Sequence, residues 1–507
     1  MAQSALRSLG AFIRRRRRLF VFGAAAAIAV GAWLLLKGRP PKLPPGTLGA
    51  DEPITKNDRV VIIAPHCDDE TLGAGGLLHD AVTAGADVHV IMVTNGDGFR
   101  YAVETELKTL RPSRQTYIRF AYERQQETLS AVHLLGLTPD KVIFLGYPDR
   151  GIAHMWSTNW TPDNPYRSRY TGLTESPYSN SFTPGARYCG EQLAADLMTL
   201  FERYRPTLIV FPHPNDAHPD HWAVNAFVNY VLQQASERGD DWARTARLRL
   251  YLVHRGEWPN PKGLNTKLAL LPPKTMINTR THWLVRNLPD QVVELKRDAI
   301  LAYHSQVALM RAYLLSFARQ NELFGELDPI VLPTLAVPPA GPGAAGKGWS
   351  PAALPPGMVR ITTDPASDTV ARRIEAGADV IAVDAGRSSS YLYLRIITRG
   401  PMRPDINYNI HFVPLGSVSS RDRPRLDLRF NPPGQLVVLS GPVKATRGLA
   451  ASLASEAAVV VPLSELGGPR RLYISVDTSI AGFGIDRAAW TLVDLGDQPP
   501  GPEPGRQ

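Results

Sequence analysis

The chain has 507 residues, too many for one ordinary domain, and its 44% hydrophobic and 20% charged content excludes wholesale disorder. A formal net charge of +9 does not mark a nucleic-acid binder: five of the positive charges form the run Arg14 to Arg18, and the rest alternate with acids, without a basic stripe interleaved with aromatics. Two cysteines, Cys67 and Cys189, are too few for a disulfide framework or a Cys-type zinc site.

After the arginine run, Leu19 to Leu36 is a stretch of eighteen apolar residues, just long enough to cross a bilayer as a helix. A cleaved signal peptide, of the twin-arginine type or otherwise, is the alternative. The stretch ends in bulky WLLLK with no small-x-small site beside it, so residues 1–37 are read as a cytoplasmic tail and uncleaved signal anchor. The positive-inside bias then puts the rest of the chain on the periplasmic or extracellular side of the membrane. Residues 38–57, rich in Pro and Gly, are a spacer.

From residue 58 to 330 the pattern is strand–helix alternation. RVVIIAP is a continuous apolar run of the buried parallel-strand type, and ETLGAGGLLHDAVTAGA has helical spacing with glycines where it opens. DVHVIMVTNGDG is a second strand, Thr116 to Leu135 a helix with Gly136 as its C-cap, and KVIFLGYPD a third strand. Residues 151–188, aromatic and without period, are expected as a long loop. Its Trp156, Trp160, Tyr166, Tyr170 and Tyr178 suit sugar stacking or plain packing equally. CGEQLAADLMTLFERYR, PTLIVFPHPND, HWAVNAFVNYVLQQASE and LRLYLVHR continue as helix, strand, helix and strand, and a helical stretch from about 290 breaks near Tyr303–Gln306. Such alternation predicts an α/β, Rossmann-like, mostly parallel sheet with helices on both faces. A Pro/Gly/Ala linker over 331–357 leads to short alternating runs over 358–497, expected as an antiparallel β-sandwich, and 498–507 is a disordered tail.

Two clusters carry chemistry: His66-Cys67-Asp68-Asp69-Glu70 after the first strand, and His213, Asp216, His218, Asp220 and His221 after PTLIVFP. Taken singly, DDE is a common acidic helix start and a lone histidine a common cap. Two such clusters beyond the carboxyl ends of two buried strands are harder to dismiss, because reactive residues of open α/β sheets gather there. A catalytic zinc needs three N/O ligands and an open position, and amide hydrolysis also needs a base and an acid. The clusters contain enough groups for all five roles.

The motif pair resembles the PIG-L-like (LmbE-like) N-acetylglucosaminyl deacetylase family, whose first motif is A-H-P-D-D-E and whose second is H-x-x-H. PHCDDE followed by TLGAGG, HPNDAHPDH, TNGD, the Arg124-x-x-Glu127 pair, LGYPD and YHSQ extend the resemblance over roughly residues 58–325. It implies zinc, one per chain with ferrous iron as the alternative, held by His66, Asp69 and His221. It implies Asp68 as general base, and His218 as general acid or oxyanion stabiliser, with Asp220 hydrogen-bonded to it and raising its pKa. Arg124 is expected on substrate hydroxyls, with Asp97, Asp149 and Asp216 as further substrate-binding candidates. Arg124 paired with Glu127 in a simple i,i+3 salt bridge is the plainer alternative. Cys67 stands where the family has Pro, a tolerated substitution whose side chain is needed in no assigned role. The implied activity is N-deacetylation of an N-acetylated sugar, glycan or glycolipid, with no nucleic-acid partner. The alternatives are hydrolysis of a different amide, or a catalytically silent membrane-tethered glycan binder.

Overall fold

The structure is a computed structural model describing residues 43, 46–109, 111–336, 354–366, 374–415, 425–432 and 434–496. The expected span Leu19–Leu36, much of the 331–357 linker and the 498–507 tail lie outside the described residues. Among the described residues no helix is long and apolar enough to cross a membrane.

In chain order the first part runs β1 (Leu48–Ala50), β2 (Arg59–Ala64), α1 (Asp69–Thr83), β3 (Asp87–Thr94), α2 (Arg100–Glu106), α3 (Arg114–Leu134), β4 (Val142–Tyr147), α4 (Ile152–Ser157) and α5 (Gly190–Tyr204). It continues with β5 (Leu208–Pro212), α6 (Pro219–Glu237), α7 (Asp241–Thr245), β6 (Arg247–Tyr251), β7 (Thr281–Asn287), α8 (Asp290–Leu301), α9 (His304–Leu314) and β8 (Asn321–Leu327). The eight strands form one sheet in the order β1-β7-β8-β6-β5-β2-β3-β4. Only β8 runs against its neighbours, pairing antiparallel with β6 and β7.

β2 shows why the sheet is covered on both faces. Val60, Ile62 and Ala64 enter one apolar cluster with α1, α3 and α8, while Val61 and Ile63 enter the other with α5 and α6. Alternate residues of one strand are thus buried in opposite directions, as a central parallel strand requires. β2 pairs with β5 in register (Val60↔Leu208, Ile62↔Val210), and from there the chain winds outward both ways, to β3 and β4 on one side and β6 on the other. The loops leaving β2 and β5 therefore emerge side by side at a topological switch point.

Three of these strands escaped the sequence reading. β1 is three residues long, and β7 and β8 carry charged and polar residues that mask their alternation. The 151–188 region is not wholly loop, since α4 forms at its start. Its aromatics pack rather than present themselves: Trp156, Trp160, Tyr166 and Tyr178 are buried and Tyr170 lies against Tyr117.

The second part comprises β9 (Ile330–Val331), β10 (Val359–Thr363), β11 (Val380–Arg387), β12 (Tyr391–Thr398), β13 (Asn407–Leu415), β14 (Leu426–Phe430), β15 (Val437–Ser440), β16 (Leu449–Leu453), β17 (Glu456–Pro462), β18 (Arg471–Ile480) and β19 (Phe483–Asp494). Two sheets, β10-β11-β12-β17-β16 and β15-β14-β13-β18-β19-β9, enclose one apolar core as a sandwich, antiparallel except where β9 joins β19. Val413, Leu415, Tyr473 and Trp490 of the sandwich belong instead to the cluster under α5 and α6, so the two parts share a packed seam.

Candidate metal centre

The first motif is held in a strained turn. Asp68, the residue before α1, has φ +139°, a conformation an L-residue adopts only when its surroundings impose it. Arg124 of α3 supplies part of that constraint: its guanidinium donates to the carbonyls of Cys67 and Gly96 and lies 3.4 Å from Asp68 Oδ2. Gly96 (φ +64°) is required there, because a Cβ would sit 1.7 Å from the Arg124 guanidinium. α1 also approaches the sheet closely: a Cβ on Gly73 would lie 2.4 Å from the Tyr251 ring. The helix is kinked at Ala74, and the amides of Gly76 and Leu77 donate to the Glu322 carboxylate. Lys296 Nζ bridges Glu322 Oε1 and the Leu72 carbonyl at 2.5 and 2.9 Å.

The second motif follows β5 in the same way. His218 caps α6, its Nδ1 accepting the Asp220 amide at 3.3 Å. A ring nitrogen that accepts carries no proton, so neutral His218 bears its hydrogen on Nε2. Three residues on, at the first turn of α6, His221 is fully buried.

The two loops bring three donor atoms together. Asp69 Oδ2 lies 3.1 Å from His66 Nδ1 and 3.0 Å from His221 Nε2, and the two nitrogens are 3.3 Å apart. A tetrahedral centre with metal–donor bonds of about 2.0–2.1 Å has donor–donor edges of about 3.3 Å, so this near-equilateral triangle fits a single metal ion. Each imidazole turns its other nitrogen to a carboxylate. His221 Nδ1 faces Asp216 Oδ2 at 3.2 Å, and His66 Nε2 faces Asp220 Oδ2 at 3.2 Å and Asp149 Oδ1 at 3.4 Å. Such outer carboxylates fix the ring orientation and strengthen the ligand. Burial opposes charge on both rings, but Asp149, Asp220 and Asp69 hold His66 well above the usual histidine range, and Asp216 and Asp69 raise His221 to about 9. The potential at the triangle is thus strongly negative, which suits a cation.

Beside the triangle stand the groups that can move protons. Burial, with the charge of Asp69 and against that of Arg124, pushes Asp68 up to about 8. The rings of His218 and His254 lie 5.3 and 4.5 Å from that of His221, centroid to centroid. His254 follows β6 and was not singled out from sequence: an isolated histidine at a strand end carries no spacing signal.

Several expected roles change with the geometry. Asp220 does not hold the His218 ring by its carboxylate, which accepts from the amides of Arg150 (2.6 Å) and Ile152 (3.1 Å) and faces His66. Nor is the His218 pKa raised: burial and then the neighbouring imidazoles hold it well below the ordinary value. Asp216 is buried beneath His221, where its oxygens accept the amides of His218, Val253 and His254, so it is unavailable to substrate. Asp97 is buried too, taking the Tyr178 hydroxyl and the Asp149 amide. Asp149 turns to His66 and the Gly98 amide. Arg124 lies against Asp68, and it does not pair with Glu127, which accepts from the Ser305 amide and hydroxyl. Cys67 lies in the apolar core, where burial pushes its thiol up to about 12, and both cysteines are free. His213 stacks on Trp283 and meets Thr281, outside the triangle.

A Rossmann-like sheet with a two-histidine, one-carboxylate centre at its switch point defines the class as an α/β protein built to hold a metal ion. Within that class, residues 61–232 match the model of the PIG-L family, described as GlcNAc-PI de-N-acetylase. Over 165 residues the chain is 30% identical to a 1D-myo-inositol 2-acetamido-2-deoxy-alpha-D-glucopyranoside deacetylase of Corynebacterium efficiens, a match covering 32% of this chain and 45% of that protein. The chain thus spans under half the length of this curated relative. Among solved structures it is similar to the N,N'-diacetylchitobiose deacetylase of Pyrococcus horikoshii, at 18% identity over 51% of this chain and 76% of that one, with a TM-score of 0.31. A deacetylase of teicoplanin biosynthesis matches at 18% identity over 53% and 96% of the two chains, with a TM-score of 0.35.

Proposed function

We propose that the chain is a zinc-dependent N-deacetylase that hydrolyses the acetamide of an N-acetylglucosamine-type sugar, releasing acetate and a free amine. The observation that carries this reading is the triangle of His66 Nδ1, Asp69 Oδ2 and His221 Nε2, with Asp68 and His218 beside it. The family's description and the curated relative's acetamido-sugar substrate support the same chemistry. Bound there, zinc supplies Lewis acidity toward the amide carbonyl and the attacking water.

The chain's own residues do the rest. Asp68 accepts the proton of the attacking water, its basicity maintained by burial and limited by Arg124. His218 offers its Nε2 hydrogen to the oxygen that gains charge as the carbonyl carbon becomes tetrahedral, a role that a neutral imidazole with a fixed tautomer suits. The C–N bond then breaks, acetate leaves, and the proton held by Asp68 passes to the departing amine. With Leu19–Leu36 as an outward-facing anchor, the substrate is a glycan or glycolipid at the membrane surface.

The experiment is a screen of acetate release from N-acetylglucosamine, its inositol glycosides, lipid-linked sugars and N-acetylated polymers, each with and without zinc. Zinc-dependent release from at least one acetamido sugar is expected. Zinc binding with no release from any of them would favour a different amide as substrate.

A further inference from the structure

The last support of the metal centre comes from the C-terminal sandwich. Asp220, which faces His66 Nε2, is itself held by the amides of Arg150 and Ile152, at the start of α4. α4 carries Trp156, fully buried, and that ring is enclosed edge-on from both parts of the molecule. Phe227 and Tyr230 of α6 lie 5.2 and 6.0 Å from it, and Trp490 and Tyr473 of the sandwich lie 5.6 and 5.9 Å from it. Arg425 Nη1 donates to the Trp156 carbonyl at 3.4 Å. On the other side of the centre, the Arg487 guanidinium sits 4.3 Å above the ring of Trp222, the residue after His221.

We propose that the sandwich is a positioning part of the metal centre and not an independent module. Trp490, Tyr473 and Arg425 act on His66 through Trp156, α4 and Asp220, while Arg487 acts on His221 through Trp222. Without the sandwich, one side of Trp156 is opened to water and α4 loses the packing that fixes its first turn. The Asp220 carboxylate then has no rigid pair of amides, and His66 loses the nearer of the two carboxylates that orient its ring. The proposal rests on the zinc-centre reading above.

The test compares zinc dissociation constants, by chelator competition, and kcat and KM for acetate release. The proteins are the full chain and its Trp490→Ala, Trp490→Phe, Arg487→Met and Val459→Ala variants. Val459 lies in the sandwich's own core, on β17, outside the aromatic seam. Trp490→Ala and Arg487→Met are expected to weaken zinc binding roughly 10-fold or more, the usual effect of losing an outer support, and to lower kcat more than they raise KM. Trp490→Phe should restore most of both, and Val459→Ala should lower thermal stability while leaving zinc affinity within about two-fold of the parent's. Unchanged zinc affinity in Trp490→Ala and Arg487→Met would overturn the proposal, as would an equal loss in Val459→Ala. If the parent chain binds zinc but deacetylates nothing, the proposed function fails while this coupling is still decided by the zinc measurements. If the parent binds no zinc, both fall.

Discussion

At the residue scale, the centre depends on which nitrogen each carboxylate meets. Asp216 touches no open space, yet it meets the far nitrogen of His221 and accepts three backbone amides. Asp216→Asn should therefore weaken zinc binding by about 10- to 100-fold while leaving KM nearly unchanged, measured by chelator competition and steady-state kinetics. A change confined to KM would return Asp216 to the substrate side. The ligand candidates were legible because PHCDDE and HPDH each follow a buried strand. The outer carboxylates were not, because Asp149, Asp216 and Asp220 look alike in sequence. Only the fold decides that two of them serve His66 and one serves His221. Cys67, needed in no assigned role, points into the core while its neighbours point into the site.

At the element scale, α1 shows how a helix is bent to deliver a ligand. The kink at Ala74 frees the amides of Gly76 and Leu77, and Glu322 of β8 accepts both while pairing with the buried Lys296. Removing one partner of such a pair leaves an uncompensated buried charge, so Glu322→Gln should destabilise the protein by about 3–5 kcal/mol in denaturant titration. A loss under about 1 kcal/mol would show that the kink stands without it. This also explains why β8 was missed: its glutamate is buried for a structural purpose that alternation alone does not reveal. The central strands β2 and β5 were legible because burial on both faces leaves an unbroken apolar run.

The sandwich has its own element-scale device. His411 of β13 lies between Asp427 of β14 and Asp477 of β18, at 2.6 and 2.7 Å. Burial opposes its charge, but the two carboxylates raise its pKa, and His411 in turn helps to depress theirs, that of Asp477 to about 2. The histidine's contribution is complete below its unfolded value of about 6.5 and is lost as pH rises through its raised folded value. The carboxylates' contribution is complete above about 3.9 and is lost as pH falls through their depressed values. Thermal stability should therefore plateau between about pH 4 and 6.5 and fall on the alkaline side. His411→Gln should flatten that alkaline fall, and an unchanged pH profile in the variant would contradict the assignment.

At the scale of the whole molecule, two parts that read as separate units in sequence share a seam. The Pro/Gly/Ala composition of 331–357 suggested a spacer, but what joins the parts is side-chain packing between distant segments, with Trp156 against Tyr473 and Trp490. Contacts of that range have no local periodicity from which to be read. The central claim is that His66, Asp69 and His221 hold the metal while Asp68 does chemistry, and the most direct measurement separates the two. Metal content and acetate release are compared for the parent, Asp68→Asn and His221→Ala, each reconstituted with zinc. The parent should bind one zinc per chain and turn over. Asp68→Asn should keep the zinc and lose roughly 100-fold or more in kcat, and His221→Ala should lose both. Parent-like turnover in Asp68→Asn, or full zinc occupancy in His221→Ala, would contradict it.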